Sequence, residues 1–109
     1  MRLTIIRTDG TEEEHDVPKE RAFQEIDRLI GATCTDCVNL RAGRVMIVDD
    51  NGYETETIDH GDGRFELRCI KARKPVNEKA TAMYHAICRP GTTHQIVGDV
   101  AIALDEDFA

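Results

Sequence analysis

The sequence predicts an α+β fold, in which a mostly antiparallel sheet of about six to seven strands has two helices packed on one face. Two segments carry apolar residues at helical spacing, and the segments around them alternate or form short apolar runs between turn residues. The predicted order is two strands, a helix, four strands in a meander, a helix and a last strand. With 109 residues and no linker or repeat, the chain is predicted to be a single domain over residues 1–109.

The chain is predicted to begin with a β-hairpin followed by a helix. Asp9-Gly10 is a typical hairpin turn, with strand-like residues on either side. Pro18 suits the first turn of a helix, and Gly31 suits its end because glycine adopts left-handed geometry without a Cβ clash. An apolar stripe between them indicates a helix over residues 18–30: Ala22, Phe23, Ile26, Leu29 and Ile30.

The middle of the chain is predicted to be a meander of strands. Asn51-Gly52 favours a type I′ hairpin turn because it supplies positive φ angles, and residues 60–63 indicate another tight turn. A change of apolar phase at Ile70 predicts a bulge or the end of pairing. The strands themselves are expected over residues 34–40, 45–48, 53–59 and 65–69.

Residues 77–104 are predicted to be the unit on which the core is built. Asn77 is a good N-cap, and the apolar stripe that follows it extends to Cys88. Pro90 then ends the helix because it cannot donate a backbone hydrogen bond. The apolar segment 95–104 is predicted to be a buried strand.

Three short motifs together resemble a small domain family of unknown function found in phages, plasmids and other mobile elements. They are the end of the first helix at Ile30-Gly31-Ala32, the segment 45–52, and the start of the second helix at 77–82 followed by Ile96-Val97-Gly98-Asp99-Val100. The resemblance covers roughly residues 20–105 and implies a mobile-element origin, but it implies no activity. Residues 53–74 depart from the family pattern as an added hairpin, and the Cys-x-x-Cys is also outside it.

Composition excludes several classes of function. A net charge of −7 makes general nucleic-acid binding unexpected, because phosphate contacts need a basic surface. No apolar run approaches the ~20 residues that span a bilayer, and the N-terminus does not resemble a signal peptide. We therefore expect a cytoplasmic protein that does not bind membranes, and a homodimer is compatible with the sequence.

Cysteine and histidine spacing leaves a zinc site as an alternative. Cys34 and Cys37, with His85 and Cys88, have the form of a Cys-x-x-Cys plus His-x-x-Cys site. However, strand residues three apart face opposite sides of a sheet, so Cys34 and Cys37 share a metal only if they lie in a turn. The sequence therefore favours unliganded cysteines, no cofactor and no bound zinc, and a redox role at the end of a helix is weaker still.

Catalytic signatures are not recognisable in the sequence. The chain has no serine, and its glycines form no phosphate-binding loop. The acidic residues lie outside the apolar contexts that raise the pKa of a general acid. The sequence therefore predicts a protein that is not an enzyme.

Basic residues concentrate in the added hairpin of an otherwise acidic chain. We predict binding through Arg64, Arg68, Arg73 and Lys74, with Tyr53 as an adjoining contact. The alternative is a solvated strand face on which these charges balance neighbouring glutamates across the strands. The predicted function is a non-catalytic accessory protein of a phage or mobile element that binds a host or phage protein or a small anionic ligand. A zinc-stabilised module is the alternative.

Overall fold

A computed structural model describes the backbone of residues 1–108, and the side chains of these residues except Thr55 and residues 67–70. The elements, in chain order, are β1 (Arg2–Ile6), β2 (Glu12–Asp16), α1 (Ala22–Ile30), β3 (Thr35–Asn39), β4 (Arg44–Asp49), β5 (Tyr53–Asp59), β6 (Phe65–Ala72), α2 (Glu78–His85) and β7 (Val100–Leu104). Short 3₁₀ turns precede α1 at Lys19–Arg21 and follow β7 at Asp105–Phe108. The predicted α+β class is confirmed.

The strands form two separate sheets. Five of them make an antiparallel sheet in the order β2-β1-β7-β4-β3, and β5 pairs with β6 in a two-stranded sheet. The predicted sheet of about six to seven strands is therefore wrong, because β5 does not continue beside β4.

The connection between β4 and β5 explains this difference. A type I′ turn needs positive φ at both central residues, and neither Asn51 nor Gly52 has one. The Asn51 N–H instead donates to the Asp49 carboxylate, and the Arg73 N–H donates to the Gly52 carbonyl. A Cβ on Gly52 would lie 2.6 Å from Cγ2 of Val97, so close packing, and not turn geometry, requires the glycine.

Buried clusters cover both faces of the five-stranded sheet. Ile5 belongs to one cluster and its neighbour Ile6 to the other, and β4 and β7 divide between the clusters in the same alternating way. Successive strand residues point to opposite faces, so the clusters lie on opposite sides. Ile26 of α1 is in the first cluster and Ala80 of α2 in the second. The prediction that both helices pack on one face is therefore wrong.

Helix α1 is bounded as predicted. Gly31 has φ 68° and ends the helix in the left-handed conformation, with its N–H bonded to the Asp27 carbonyl. Phe23 is an exception within the apolar stripe, because it is 46% exposed and packs its ring against Phe108 at 5.3 Å. In the described part of the chain, no helix is long and apolar enough to cross a membrane.

Helix α2 and strand β7 are both shorter than predicted. α2 ends at His85, before the predicted Cys88, and β7 begins only at Val100. Residues 96–98 do not extend β7, since Val97 forms a bridge with Val76 and the Gly98 N–H donates to the Pro75 carbonyl. This segment is therefore held beside the start of α2.

Asn77 joins three parts of the chain at that point. Its side chain is fully buried, and its Oδ1 accepts the Ala80 N–H at 3.0 Å, which confirms the predicted N-cap. Its Nδ2 also donates to the carbonyls of Ile6 at 2.9 Å and Gly98 at 3.0 Å. One amide therefore satisfies the helix start, the end of β1 and the segment before β7.

Thr81 fixes the same segment one turn further along α2. Its hydroxyl oxygen accepts a hydrogen bond from the Ile96 N–H at 2.9 Å. The same hydroxyl donates to the Ile96 carbonyl at 3.3 Å. The Asn77 N–H donates to that carbonyl as well, at 2.8 Å. These bonds hold the residues around Ile96 next to Tyr84 of α2.

Strands β5 and β6 form the hairpin predicted over residues 53–74. Its register shifts between Glu54 and Thr55, which pair with Lys71 and Cys69, so Ile70 is the additional backbone position. This confirms the predicted bulge. The turn contains Gly61 and Gly63 at φ 80° and 84°.

Candidate functional site

A cleft of about 350 Å³ lies where the base of the β5–β6 hairpin meets the five-stranded sheet. One side is formed by β3 and β4, and the other by Tyr84 of α2 and the segment 94–97 that Asn77 and Thr81 hold in place. Its lining comprises Asp36, Val38, Val48, Asp49, Asp50, Tyr53, Tyr84, His94, Gln95, Ile96 and Val97. Apolar residues with a few polar groups around them are typical of ligand sites.

Three aromatic rings form one wall of the cleft. The centroid of the His94 ring lies 5.3 Å from the ring centroid of Tyr53. It lies 6.1 Å from the ring centroid of Tyr84, and these two rings meet edge-on. The Tyr53 hydroxyl donates to the Gln95 carbonyl at 2.6 Å, and a ring nitrogen of His85 donates to the His94 carbonyl at 2.7 Å. The aromatic wall (Tyr53, Tyr84, His94) is therefore positioned by hydrogen bonds to the backbone next to it.

Three aspartates form the acidic side of the cleft. The Asp49 side chain is only 4% exposed and forms an ion pair with Lys74. Lys74 also donates to the Gly31 carbonyl, which joins the hairpin base to the end of α1. Asp36 and Asp50 are exposed, and Asp36 accepts the N–H of Cys37. The acidic side (Asp36, Asp49, Asp50) thus contains one carboxylate with a cationic partner and two that face solvent.

The predicted binding residues do not form one patch. Tyr53 lines the cleft, and Lys74 is held in the ion pair with Asp49. Arg64 lies at the hairpin turn, where it pairs with Asp62 at 2.8 Å. Arg73 is exposed at the hairpin base, and the side chain of Arg68 lies outside those described. The eight residues of β6 separate Arg64 from Arg73, a distance of roughly 30 Å.

Charges on the hairpin are balanced. Residues 53–74 contain five acidic and five basic residues, so the hairpin contributes no net charge to a chain of net −7. In the backbone register, Glu54 lies opposite Lys71 and Glu56 opposite Arg68. This arrangement is the one expected for a solvated face with cross-strand compensation.

The four residues of the alternative zinc site are not brought together. Cys37 lies within β3, and burial, Asp36 and Asp105 raise the pKa of its thiol. Cys88 hydrogen-bonds Tyr84, which together with burial raises the pKa of that phenol. Among the described residues, no group of three or more His, Cys, Asp or Glu side chains is arranged to hold a metal ion. That the purified protein contains no zinc stays a prediction.

Several cleft residues were not singled out in the sequence. Asp36 lies in β3, Asp50 in the turn after β4, Tyr84 in α2 and His94 in a loop, and no local motif links them. Tyr53 is the one cleft residue that the sequence predicts as a binding contact, and it is predicted there as a neighbour of the basic residues of the hairpin. Only the packing of the segment 94–97 against α2 brings these positions together.

Comparison of the chain with protein-family models, with curated proteins and with solved structures finds no match.

Proposed function

We propose that this protein is a non-catalytic binding protein and that its ligand occupies the cleft at the hairpin base. The observation that supports this is the combination of a volume of about 350 Å³, an apolar floor, the aromatic wall and the acidic side. A drug-sized or smaller molecule, or one side chain of a partner protein, fits this volume.

The cleft chemistry favours binding over catalysis. The described lining residues include no Ser, Thr, Cys or Lys that would serve as a nucleophile. The two phenols are engaged, Tyr53 with the Gln95 carbonyl and Tyr84 with Cys88, and the Cys88 hydrogen bond and burial raise the pKa of the Tyr84 phenol. Asp49 is neutralised by Lys74. These groups are arranged to hold their positions and not to exchange protons.

An accessory role in a phage or other mobile element is part of the proposal. It is supported by the motifs around Asn77 and Ile96-Val97-Gly98-Asp99, on which the resemblance to a mobile-element family depends. In the fold, these residues build the wall that carries His94. The genes next to the coding sequence test this part. Neighbouring replication, defence or virion genes support it, and a conserved set of metabolic genes contradicts it.

The cleft proposal is tested by NMR on the isotopically labelled protein with a fragment library. We expect binders to shift the backbone amides of residues 36–38 and 94–97. His94→Ala removes the middle ring of the aromatic wall and should weaken these binders. His60→Ala is the matched control, because His60 lies at the distant hairpin turn and pairs with Glu66. Amide shifts confined to other surfaces, or equal effects of the two variants, contradict the proposal.

A protein partner bound by the hairpin is a second candidate. It is supported by the separation of β5–β6 from the main sheet and by Phe65, which is 68% exposed. Although the hairpin has no net charge, Arg64 and Arg73 are exposed on it, and an acidic partner or anionic ligand within about a Debye length of these side chains, ~8 Å at physiological salt, is attracted to them. Arg64, Arg68 and Arg73 are the proposed contacts, with binding that weakens as salt rises.

Charge reversal tests this second candidate against an identified partner. Arg64→Glu with Arg68→Glu should abolish binding at low salt and leave the unfolding midpoint nearly unchanged. The matched control reverses two exposed arginines outside the hairpin, Arg21 and Arg89. Equal binding by the hairpin variant and the parent excludes the hairpin as the interface.

A further inference from the structure

We infer that the ligand of the cleft is an organic cation, in the form of an ammonium or guanidinium group on a short aliphatic stem. This inference rests on the proposed function, which places a ligand in the cleft, and adds its chemical class. It differs from the anionic ligand that the basic residues of the hairpin predict.

The charge of the lining favours a cation. The described lining residues include Asp36, Asp49 and Asp50 and no Lys or Arg. The Lys74 ammonium offsets Asp49, which leaves two exposed carboxylates uncompensated at the cleft mouth. In a protein of net charge −7, an anion entering here meets like charge from the site and from the rest of the chain.

The aromatic wall favours a cation independently of the carboxylates. Ring faces attract ammonium and guanidinium groups that lie within ~6 Å of the ring centroid. The centroid of the His94 ring lies 5.3 Å from that of Tyr53 and 6.1 Å from that of Tyr84, so the three rings form one continuous aromatic surface against which a cation can lie. Hydrogen bonds fix Tyr53 to Gln95 and His85 to the His94 backbone, so little ordering is needed on binding.

The floor of the cleft suits the stem of such a ligand. Val38 and Val48 contribute from the sheet, and Ile96 and Val97 from the segment beside α2. Long cationic side chains and alkyl amines bury their methylene groups on apolar surface while the charged head stays near polar groups. The cation would lie between the acidic side and the aromatic wall, with its stem on the valines.

Two sources supply this chemistry, a free alkyl amine and a lysine or arginine side chain of a protein. The experiment separates them by amide shifts of the full-length protein at low salt. One set of probes has a common four-carbon stem: n-butylammonium, n-butanol and butyrate. The other is a blocked tripeptide with lysine at its centre, compared with the same peptide carrying acetyl-lysine.

We expect butylammonium and the lysine peptide to shift the amides of residues 36–38 and 94–97, with little response to butanol, butyrate or acetyl-lysine. Tighter binding of the lysine peptide assigns the site to a protein side chain, and tighter binding of the free amine assigns it to a small molecule. Asp36→Asn and Asp50→Asn should each weaken the binding of butylammonium and of the lysine peptide by up to about fivefold. This is the effect expected from losing one exposed ion pair. Glu20→Gln, at an exposed residue of the 3₁₀ turn before α1, is the control.

The aromatic contribution has its own pair of variants. Tyr84→Leu keeps bulk in the cleft and removes the ring, so cation binding should fall severalfold. Phe23→Leu removes a ring that packs on Phe108 instead, and should leave binding unchanged. Thermal unfolding of each variant shows that the fold is retained.

The outcomes separate this inference from the proposed function. Equal amide shifts in the cleft with butanol, butyrate and butylammonium overturn the cationic class while leaving a ligand in the cleft. Butyrate binding that the two Asp→Asn changes strengthen also overturns it. Absence of cleft shifts with every probe and every library fragment overturns both.

Discussion

The residues around Asn77 and those of the β5–β6 hairpin are both rich in polar groups, but they use them differently. Asn77 is fully buried, and its amide makes three hydrogen bonds, one to the first turn of its own helix and two to distant parts of the chain. In the hairpin, Arg64 and His60 are exposed, and their partners Asp62 and Glu66 belong to the same hairpin. Buried polar groups are costly to leave unpaired, whereas exposed pairs contribute little. The first region therefore helps to specify the fold, whereas the exposed charged pairs of the second contribute little to its stability.

Substitution of Asn77 is expected to give the largest loss of stability in either region. Asn77→Ala removes the helix cap and the side-chain donor to two carbonyls in buried hydrogen bonds, which we expect to lower the free energy of unfolding by ~3–5 kcal/mol. Asn77→Asp retains a capping oxygen but places a carboxylate against the same carbonyls, so it should also be strongly destabilising.

Chemical denaturation of both variants measures this effect. Asn39→Ala, at an exposed position of the edge strand β3, is the control and should change stability by under ~0.5 kcal/mol. A loss below ~1 kcal/mol for Asn77→Ala would mean that the region around Asn77 is no more critical than the surface.

Apolar side chains allow the same two regions to be compared through packing. Ile26 is fully buried under the sheet and Ile96 is 6% exposed beside α2, so each change to Ala should cost ~2–4 kcal/mol. Phe65→Ala, in the hairpin, removes a side chain that is 68% exposed and should cost under ~0.5 kcal/mol. Differential scanning calorimetry checks all three, and a Phe65→Ala loss comparable to the other two would place the hairpin within the core.

The sequence predicts features that neighbouring residues determine, but not those that depend on residues far apart in the chain. The cap at Asn77, the stop at Gly31 and the bulge at Ile70 depend on residues within one turn or one strand pair, so the sequence predicts them. The sequence predicts that Gly52 is needed for a hairpin turn, but the structure shows that the glycine is required by packing against Val97, which lies far along the chain. The cleft shares this property, since its walls come from separated segments.

The sequence of β4 and β7 contains a pattern that indicates on which faces of the sheet the helices pack. Val45-Met46-Ile47 and Val100-Ala101-Ile102-Ala103 are continuous apolar runs in β4 and β7, and all of these residues are buried. Strands covered on both faces have such runs, whereas strands with one wet face alternate. The runs therefore indicate helices on both sides of the sheet, in agreement with the two clusters.

Gly52 lies where the two regions meet. Its substitution is expected to lower the free energy of unfolding by less than the changes at Asn77 and the buried isoleucines. Gly52→Ala would bring a Cβ to 2.6 Å from Val97, so we expect a loss of ~1–3 kcal/mol from overpacking. Adding Val97→Ala removes the clashing methyl, so the double variant should lose less than the sum of the single changes. Gly61→Ala in the hairpin turn has φ 80° and no neighbouring atom within 4 Å, so its cost should simply add to that of Val97→Ala. Double-mutant cycles by denaturation measure both couplings, and additivity at Gly52 would contradict the packing role.

Substitutions in ion pairs are expected to change the stability least, and their effect should depend on pH and on salt. Arg7 donates to both oxygens of Glu13, to Asp99 and to the Leu29 carbonyl, and so ties β2, α1 and the residue before β7 together. The hydrogen bonds from Arg7, and secondarily from His15, lower the pKa of Glu13 to about 2.

Because the folded state holds Glu13 ionised more strongly than the unfolded chain does, this contribution is complete above the ordinary carboxyl pKa. It is lost as the pH falls from about 5 towards 2. Glu13→Gln should therefore flatten the fall of the unfolding midpoint in that window, and Glu20→Gln, outside the network, should not. Added salt should reduce the effect, since Glu13 is 42% exposed. If both variants follow the same pH curve as the parent, Arg7 and Glu13 contribute no more to the fold than the exposed pairs of the hairpin.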